Sequence, residues 1–217
     1  MRARKSTCEK YGPLLLGVDP ARFGDDRTAI IRRQGRVAFD LEAYVKKDLM
    51  EIVGIVHNII ATERPAKVFV DVGGLGAGVV DRLNELGHRH IIVAVNAGAK
   101  PLDAKKYSNK RSEMWGELRA WLLDEPTQVP DDNALHADIC GIRYKVDSNS
   151  RLVMEQKAEM KKRGIRSPDC SDALCLTFAQ PVSAFENTSS SSKIAGKLMS
   201  NQKAISRARN LVYGNSQ

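Results

Sequence analysis

The stretch Leu14-Leu-Leu-Gly-Val-Asp19-Pro20 is a short apolar run closed by a carboxylate and then by a residue that cannot donate to a strand ladder. It reads as a buried strand stopped at its functional end. The pattern recurs in Val68-Phe-Val-Asp71-Val-Gly-Gly, and acids return in Ser167-Pro-Asp-Cys-Ser-Asp172-Ala-Leu. A carboxylate at the C-terminal end of a buried strand lies where a parallel or mixed α/β sheet opens to solvent, and ligand sites concentrate there. Such acids suit a hard divalent cation such as Mg²⁺, which prefers carboxylate and water oxygen, and two such cations clamp both oxygens of an in-line phosphodiester displacement. Asp19, Asp71, Asp169 and Asp172 are therefore the candidate metal-binding and catalytic residues. The expected chemistry is metal-dependent cleavage of a nucleic-acid backbone.

Around Asp19 the sequence predicts an antiparallel three-strand meander. Ala21 to Asp26 is turn-rich, Arg27 to Arg33 carries β-branched and apolar residues, Gln34-Gly35 makes a turn, and Val37 to Tyr44 is a third strand. Asp25 and Asp26 read as turn formers that are able to approach the acidic cluster. From Asp48, a plausible N-cap, Leu49, Ile52, Val53, Val56, Ile59 and Ile60 fall on one helical face, with Pro65 just past the end.

Around Asp71 the reading is of a parallel crossover. Lys67 to Val72 is a buried strand, Gly73-Gly-Leu-Gly-Ala-Gly78 leads into a helical run to Leu86, and Ile91 to Val95 is the next strand. The glycines lack the Lys-Ser/Thr pair of a P-loop and the spacing of a dinucleotide fingerprint, so they read as a close backbone turn after Asp71. Residues 97–110 are a Lys-rich loop, and residues 111–123 a helix packing through Met114, Trp115, Leu118, Trp121 and Leu122, with both tryptophans as core or subdomain contacts. Asp138 to Val146 and Leu152 to Glu155 read as a hairpin about Asp147-Ser-Asn-Ser150. Lys157 to Arg163 is a basic helix, and Ser167-Pro168 starts a last helix, Asp169 to Ala179. The fold class is α/β, a mixed sheet with helices on both faces.

The formal charge of the 217 residues is +8, but it is unevenly spread. Residues 1–12 carry four basic and one acidic side chain and residues 183–217 five and one, which leaves residues 13–182 at about +1. This predicts a basic N-terminal arm (1–12), a domain (13–182) and a flexible basic tail (183–217) containing four consecutive serines. The tails fit either a nucleic-acid footprint or a solubilising role. Two lysine- and arginine-rich clusters are candidates for holding DNA phosphates: Lys100, Lys105, Lys106, Lys110 and Arg111, and Lys157, Lys161, Lys162, Arg163 and Arg166. Four cysteines without C-x-x-C spacing suit a reduced compartment, and the four histidines form no H-E-x-x-H pattern. No secretory signal and no apolar run of membrane length is present.

Taken with their order and spacing, Gly17-Val-Asp19-Pro-Ala-Arg-Phe-Gly-Asp-Asp26-Arg-Thr-Ala, Val70-Asp71-Val-Gly-Gly-Leu-Gly-Ala-Gly-Val-Val-Asp81-Arg-Leu, Asn109-Lys-Arg-Ser-Glu-Met-Trp115 and Pro168-Asp-Cys-Ser-Asp172-Ala-Leu resemble the C-terminal nuclease domain of the large terminase subunit of tailed bacteriophages. That domain belongs to the ribonuclease H-like (RNase H-like) superfamily. The resemblance, over about residues 14–180, implies an endonuclease that cuts concatemeric viral DNA during genome packaging, with Mg²⁺ or Mn²⁺ at an acidic cluster. It implies double-stranded DNA, the terminase ATPase domain, the portal and the small terminase subunit as partners, in the cytoplasm of an infected bacterium. Asp19 matches the first-strand acid and Asp71 the acid ending the fourth strand. Asp169 aligns with the last ligating position, and Asp172, one turn on, is a second ligand or a helix-surface acid. The chain has no ATPase motif, so it is expected to be an excised or separately encoded nuclease domain that does not itself translocate DNA. A Holliday-junction resolvase-like or transposase-like nuclease uses similar acids, and an actin-like or sugar-kinase fragment shares the first strand but needs a duplicated domain and an ATP site. A non-catalytic or partner-activated DNA-binding or motor-docking module is the alternative of a different class.

Overall fold

The computed structural model describes residues 2–21, 27–124 and 126–183. The turn expected at Arg22 to Asp26, with Asp25 and Asp26, and the tail from residue 184 onward lie outside the described residues. Five strands form one sheet in the order β3-β2-β1-β4-β5: β1 (Leu14–Asp19), β2 (Thr28–Gln34), β3 (Val37–Tyr44), β4 (Lys67–Asp71) and β5 (Ile92–Val95). The first three are the antiparallel meander, while β4 runs parallel to β1 and β5 parallel to β4. A mixed sheet of this kind is the RNase H-like arrangement the resemblance implied.

Both faces of the sheet are covered, and the period-two alternation of the strands assigns each residue to a face. Leu16 and Val18 of β1, Ile30 of β2 and Val68 and Val70 of β4 point to one side. They pack there with α1 (Leu49–Glu63) and α2 (Gly76–Leu83). Leu15, Ala29, Ile31 and Phe69 point to the other. There they meet α3 (Lys110–Asp124), α4 (Asn133–Gly141) and α6 (Asp169–Leu176). By the same parity Asp19 follows Leu15 and Gly17, and Asp71 follows Phe69. Because Val18 is registered with Val70, the two carboxylates end neighbouring parallel strands on the same face.

Helix α1 follows the sequence closely. The Asp48 side chain accepts the Glu51 N–H while Glu51 accepts the Asp48 N–H, a capping box of about 0.5–2 kcal/mol. Ile52, Val53, Val56, Ile59 and Ile60 are buried, at roughly 1.5–3 kcal/mol each, so packing rather than capping holds the helix. Arg32 of β2 is buried on this side, where Glu42 and Glu63 neutralise it.

Three expectations change. Residues Asp138 to Gly141 are not strand: they end α4, whose start is fixed by the Asp132 side chain accepting the Leu135 N–H at 2.7 Å. The hairpin is correspondingly short, β6 (Tyr144–Val146) with β7 (Leu152–Met154), followed by α5 (Lys157–Lys162). Helix α2 stops at Leu83 and passes into a wider turn, Asn84–His88, that closes on Gly87 at φ 91°. Helix α6 ends at Leu176, where Thr177, Phe178 and Ala179 bond back to carbonyls three residues earlier. From Arg2 on, the expected arm lies against the core: Ala3 is buried, its carbonyl accepts the Val129 N–H, and Arg4 pairs with Asp131. Among the described residues no helix is long and apolar enough to cross a membrane.

Candidate active site

Helix α6 crosses β1 at Gly17, where an added Cβ would stand 2.0 Å from the Ala173 carbonyl oxygen. No other residue type permits that approach. It brings Asp172, next to Ala173, over the end of β1 beside Asp19. Asp71 is held by its own turn. Gly73 N–H donates to Asp71 Oδ1 at 3.0 Å, Gly74 takes φ 54°, and a Cβ on Gly76 would lie 1.6 Å from the Asp71 carbonyl oxygen. The glycine run is thus the close backbone turn expected after Asp71.

Asp19, Asp71 and Asp172 line one cleft of about 380 Å³, together with Asn96, Asn109, Arg111, Gln156 and Lys157. Asp169 does not line it. Its Oδ2 accepts the Arg27 N–H at 2.9 Å, which turns the carboxylate toward the start of β2. Of the two acids on α6, Asp172 is the one that lines the cleft. Burial raises the Asp19 carboxyl well above the usual carboxylate range. Lys157 opposes this, and Asp172, Asp71 and Asp169 add to it.

The Lys157 ammonium stands between two of these acids, 3.1 Å from Asp172 Oδ2 and 3.9 Å from Asp19 Oδ2. Burial works against its charge, but Asp19 and Asp172 raise its pKa overall. Among the described residues no three histidine, cysteine or acidic side chains are close enough to bind one metal ion as they stand. The donor set nevertheless suits a cation: three carboxylates line one cleft, and a cationic group already lies between two of them.

The ten candidate phosphate-binding cations divide. Lys100, Lys105, Lys161, Lys162 and Arg166 are exposed. Lys106 is exposed but lies near Glu117 and over the Tyr107 ring. Lys110 pairs with Glu113, Arg163 with Glu155, and Arg111 donates to the Glu155 carbonyl. Lys157 faces the acids. Asp172 also accepts from Trp115 Nε1 at 3.0 Å. Trp115, read from sequence as a core or subdomain contact, thus touches the site, and its i, i+4 spacing from Arg111 was the available signal. A larger cleft of about 720 Å³, lined by Leu118, Leu122, Ile139 and Tyr144, shares Met154 with the acidic one but, among the described residues, has only Asp124 as an acid. Chemistry rather than volume picks out the smaller one.

The strand order, with β1 to β3 antiparallel and β4 and β5 parallel beside β1, defines an RNase H-like fold. Solved structures with this fold include the nuclease domain of the large terminase subunit gp2 of bacterial virus Sf6. It matches with a TM-score of 0.69 and 22% identity over 80% of this chain and 91% of that one. A variant of the same Sf6 domain, with manganese, matches at 0.67 and 21%, again over 80% and 91%. The large terminase nuclease from thermophilic phage G20c, with bound magnesium, matches at 0.59 and 16% over 79% and 85%. No protein-family model and no curated protein matches the sequence.

Proposed function

We propose that this chain is a metal-dependent DNA endonuclease of the viral genome-packaging machinery. It acts in the cytoplasm of the infected bacterium on concatemeric double-stranded DNA, in company with the terminase ATPase domain, portal and small subunit. The observation that carries the reading is the convergence of Asp19, Asp71 and Asp172 on one cleft, with an ammonium lodged between two of the carboxylates. The likeness of fold to terminase nuclease domains, some with manganese or magnesium, supports it.

In this reading Asp19, Asp71 and Asp172 hold the metal, and Asp169 fixes the start of α6 through the Arg27 N–H. A pair of Mg²⁺ or Mn²⁺ ions, when bound, supplies an activated water nucleophile and a sink for charge on the leaving 3′-oxygen. Asp19 is buried and disfavours its own ionisation in the absence of a cation, so binding and deprotonation are coupled there. Lys157, which stands between Asp19 and Asp172, would have to give up that place to a bound cation and would then be available to a DNA phosphate. Lys100, Lys105, Lys161, Lys162 and Arg166 provide exposed phosphate contacts, which position the duplex without reading its sequence.

The test is cleavage of supercoiled plasmid with Mg²⁺, Mn²⁺ or EDTA, comparing the unaltered chain with Asp71→Ala. Metal-dependent nicking and linearisation, lost in the variant, is the expected result. The ammonium between the carboxylates also favours a second reading, a site at rest until a partner displaces Lys157. Binding of DNA by both proteins without cleavage under either metal would favour that partner-activated module.

A further inference from the structure

Asp172 is gripped from behind. Trp115 Nε1 donates to its Oδ1 at 3.0 Å, and Arg111 Nη2 stands 3.5 Å from the same oxygen. Arg111 and Trp115 are one turn apart on α3, so they present both groups to the carboxylate from one helix face. The other oxygen, Oδ2, is the one that meets Lys157 Nζ in the cleft. Trp115 is 5% exposed and belongs to the core cluster that also holds Met114, Leu118 and Leu174, so the indole has little freedom to follow a rotating carboxylate. Arg111 is fixed in turn by the Glu155 carbonyl.

We infer that Trp115 is a positioning residue for the metal site: its indole N–H, backed by Arg111, locks Asp172 so that Oδ2 alone is offered to the cation, and Asp172 acts as a one-oxygen ligand. The inference rests on the nuclease reading, and it adds a role that a core tryptophan does not have. An indole bonded to a ligating carboxylate also senses the metal, because charge arriving on Oδ2 withdraws electron density from the acceptor Oδ1. The second tryptophan, Trp121, donates to the Gly35 carbonyl at 3.1 Å, so replacing it isolates the Trp115 signal without removing a hydrogen bond to Asp172.

Outer-shell hydrogen bonds of this kind change metal affinity by about 10–100-fold when lost. Trp115→Phe keeps most of the ring in the core and removes the donor. Calorimetric titration with Mn²⁺ should give a Kd about tenfold or more weaker for Trp115→Phe than for the unaltered chain. In the intact Trp121→Phe protein, Mn²⁺ should change Trp115 fluorescence saturably, and Asp172→Asn should abolish the change. An equal Kd in Trp115→Phe, or a Trp115 signal indifferent to Mn²⁺ that the protein demonstrably binds, overturns the inference and leaves the nuclease reading standing. If the unaltered chain binds no Mn²⁺, the nuclease reading falls and the inference with it. The fluorescence arm leaves Trp115 in place, so it decides the question even if Trp115→Phe folds poorly.

Discussion

Replacing Asp138 by Asn removes one ionisation and little else. The carboxyl lies on α4, 4% exposed, and its Oδ2 accepts the Cys170 N–H at 3.1 Å, holding the first turn of α6. Burial pushes it from an ordinary 3.8 up to about 6, against the opposite pull of that N–H, Arg27 and Arg166, while Asp169 adds a small push. Between those two values the folded state binds more protons than the unfolded state, so stability falls as pH rises from ~4 to ~6 and stays reduced above that. At about 1.36 kcal/mol per pH unit, a displacement of roughly two units amounts to ~3 kcal/mol. That is a large part of the roughly 5–15 kcal/mol that keeps a domain folded. Asp138→Asn retains an oxygen for the Cys170 N–H and has no charge to bury. Urea unfolding at pH 4 and pH 7.5 is the assay. The two proteins should be close at pH 4, and the variant should be more stable by ~3 kcal/mol at pH 7.5, a midpoint shift of ~1 M or more at typical urea slopes. Parallel pH curves for the two proteins, or a variant that loses ground as pH rises, would refute the argument.

Gly17→Ala should cost at least ~3 kcal/mol, because the added methyl meets the Ala173 backbone carbonyl rather than a side chain that yields. Any surviving fold should cleave plasmid ~100-fold more slowly, since re-spacing α6 moves Asp172 away from Asp19. Lys157→Ala should lower the melting temperature without metal, by removing the cation between Asp19 and Asp172. It should also enlarge the stabilisation by Mn²⁺, with each tenfold gain in affinity worth ~1.4 kcal/mol in thermal unfolding at fixed Mn²⁺. Arg32→Ala should cost ~3–5 kcal/mol by leaving Glu42 and Glu63 without their shared cation. Because Arg32 lies on the α1 side of the sheet, Mn²⁺ affinity by calorimetry should stay within about twofold of the parent.

Much of the fold could be read from local pattern. Apolar runs ended by Asp19-Pro20 and Asp71 gave β1 and β4, and the face of Ile52, Val53, Val56, Ile59 and Ile60 gave α1. Helix α4 was missed because its nine residues bury only Leu135 and Asp138, too few positions to reveal a period of 3.6. Which way Asp169 and Asp172 face was beyond local reading for a different reason. It turns on the Arg27 N–H, which takes the Asp169 carboxylate across 142 residues of chain. Cation roles were hidden in the same way: nothing in Asn109-Lys-Arg111 or Gln156-Lys157 says that Arg111 faces Glu155 and Asp172, or that Lys157 faces Asp19.

Strands β1 and β4 are apolar on both faces, and this bears on how reliably the chain folds. Alternation of polar and apolar residues, which normally punishes a strand that pairs one residue out of step, exerts little discipline over a strand buried on both sides. A misaligned β1 would still bury Leu15, Leu16 and Val18, but it would put a side chain under the Ala173 carbonyl, where only Gly17 leaves room. The check on alignment is therefore steric. A folding error that left the hydrophobic core almost intact would be rejected by the same contact that spaces Asp19 from Asp172, so a molecule that closes α6 onto the sheet has its two acids in register.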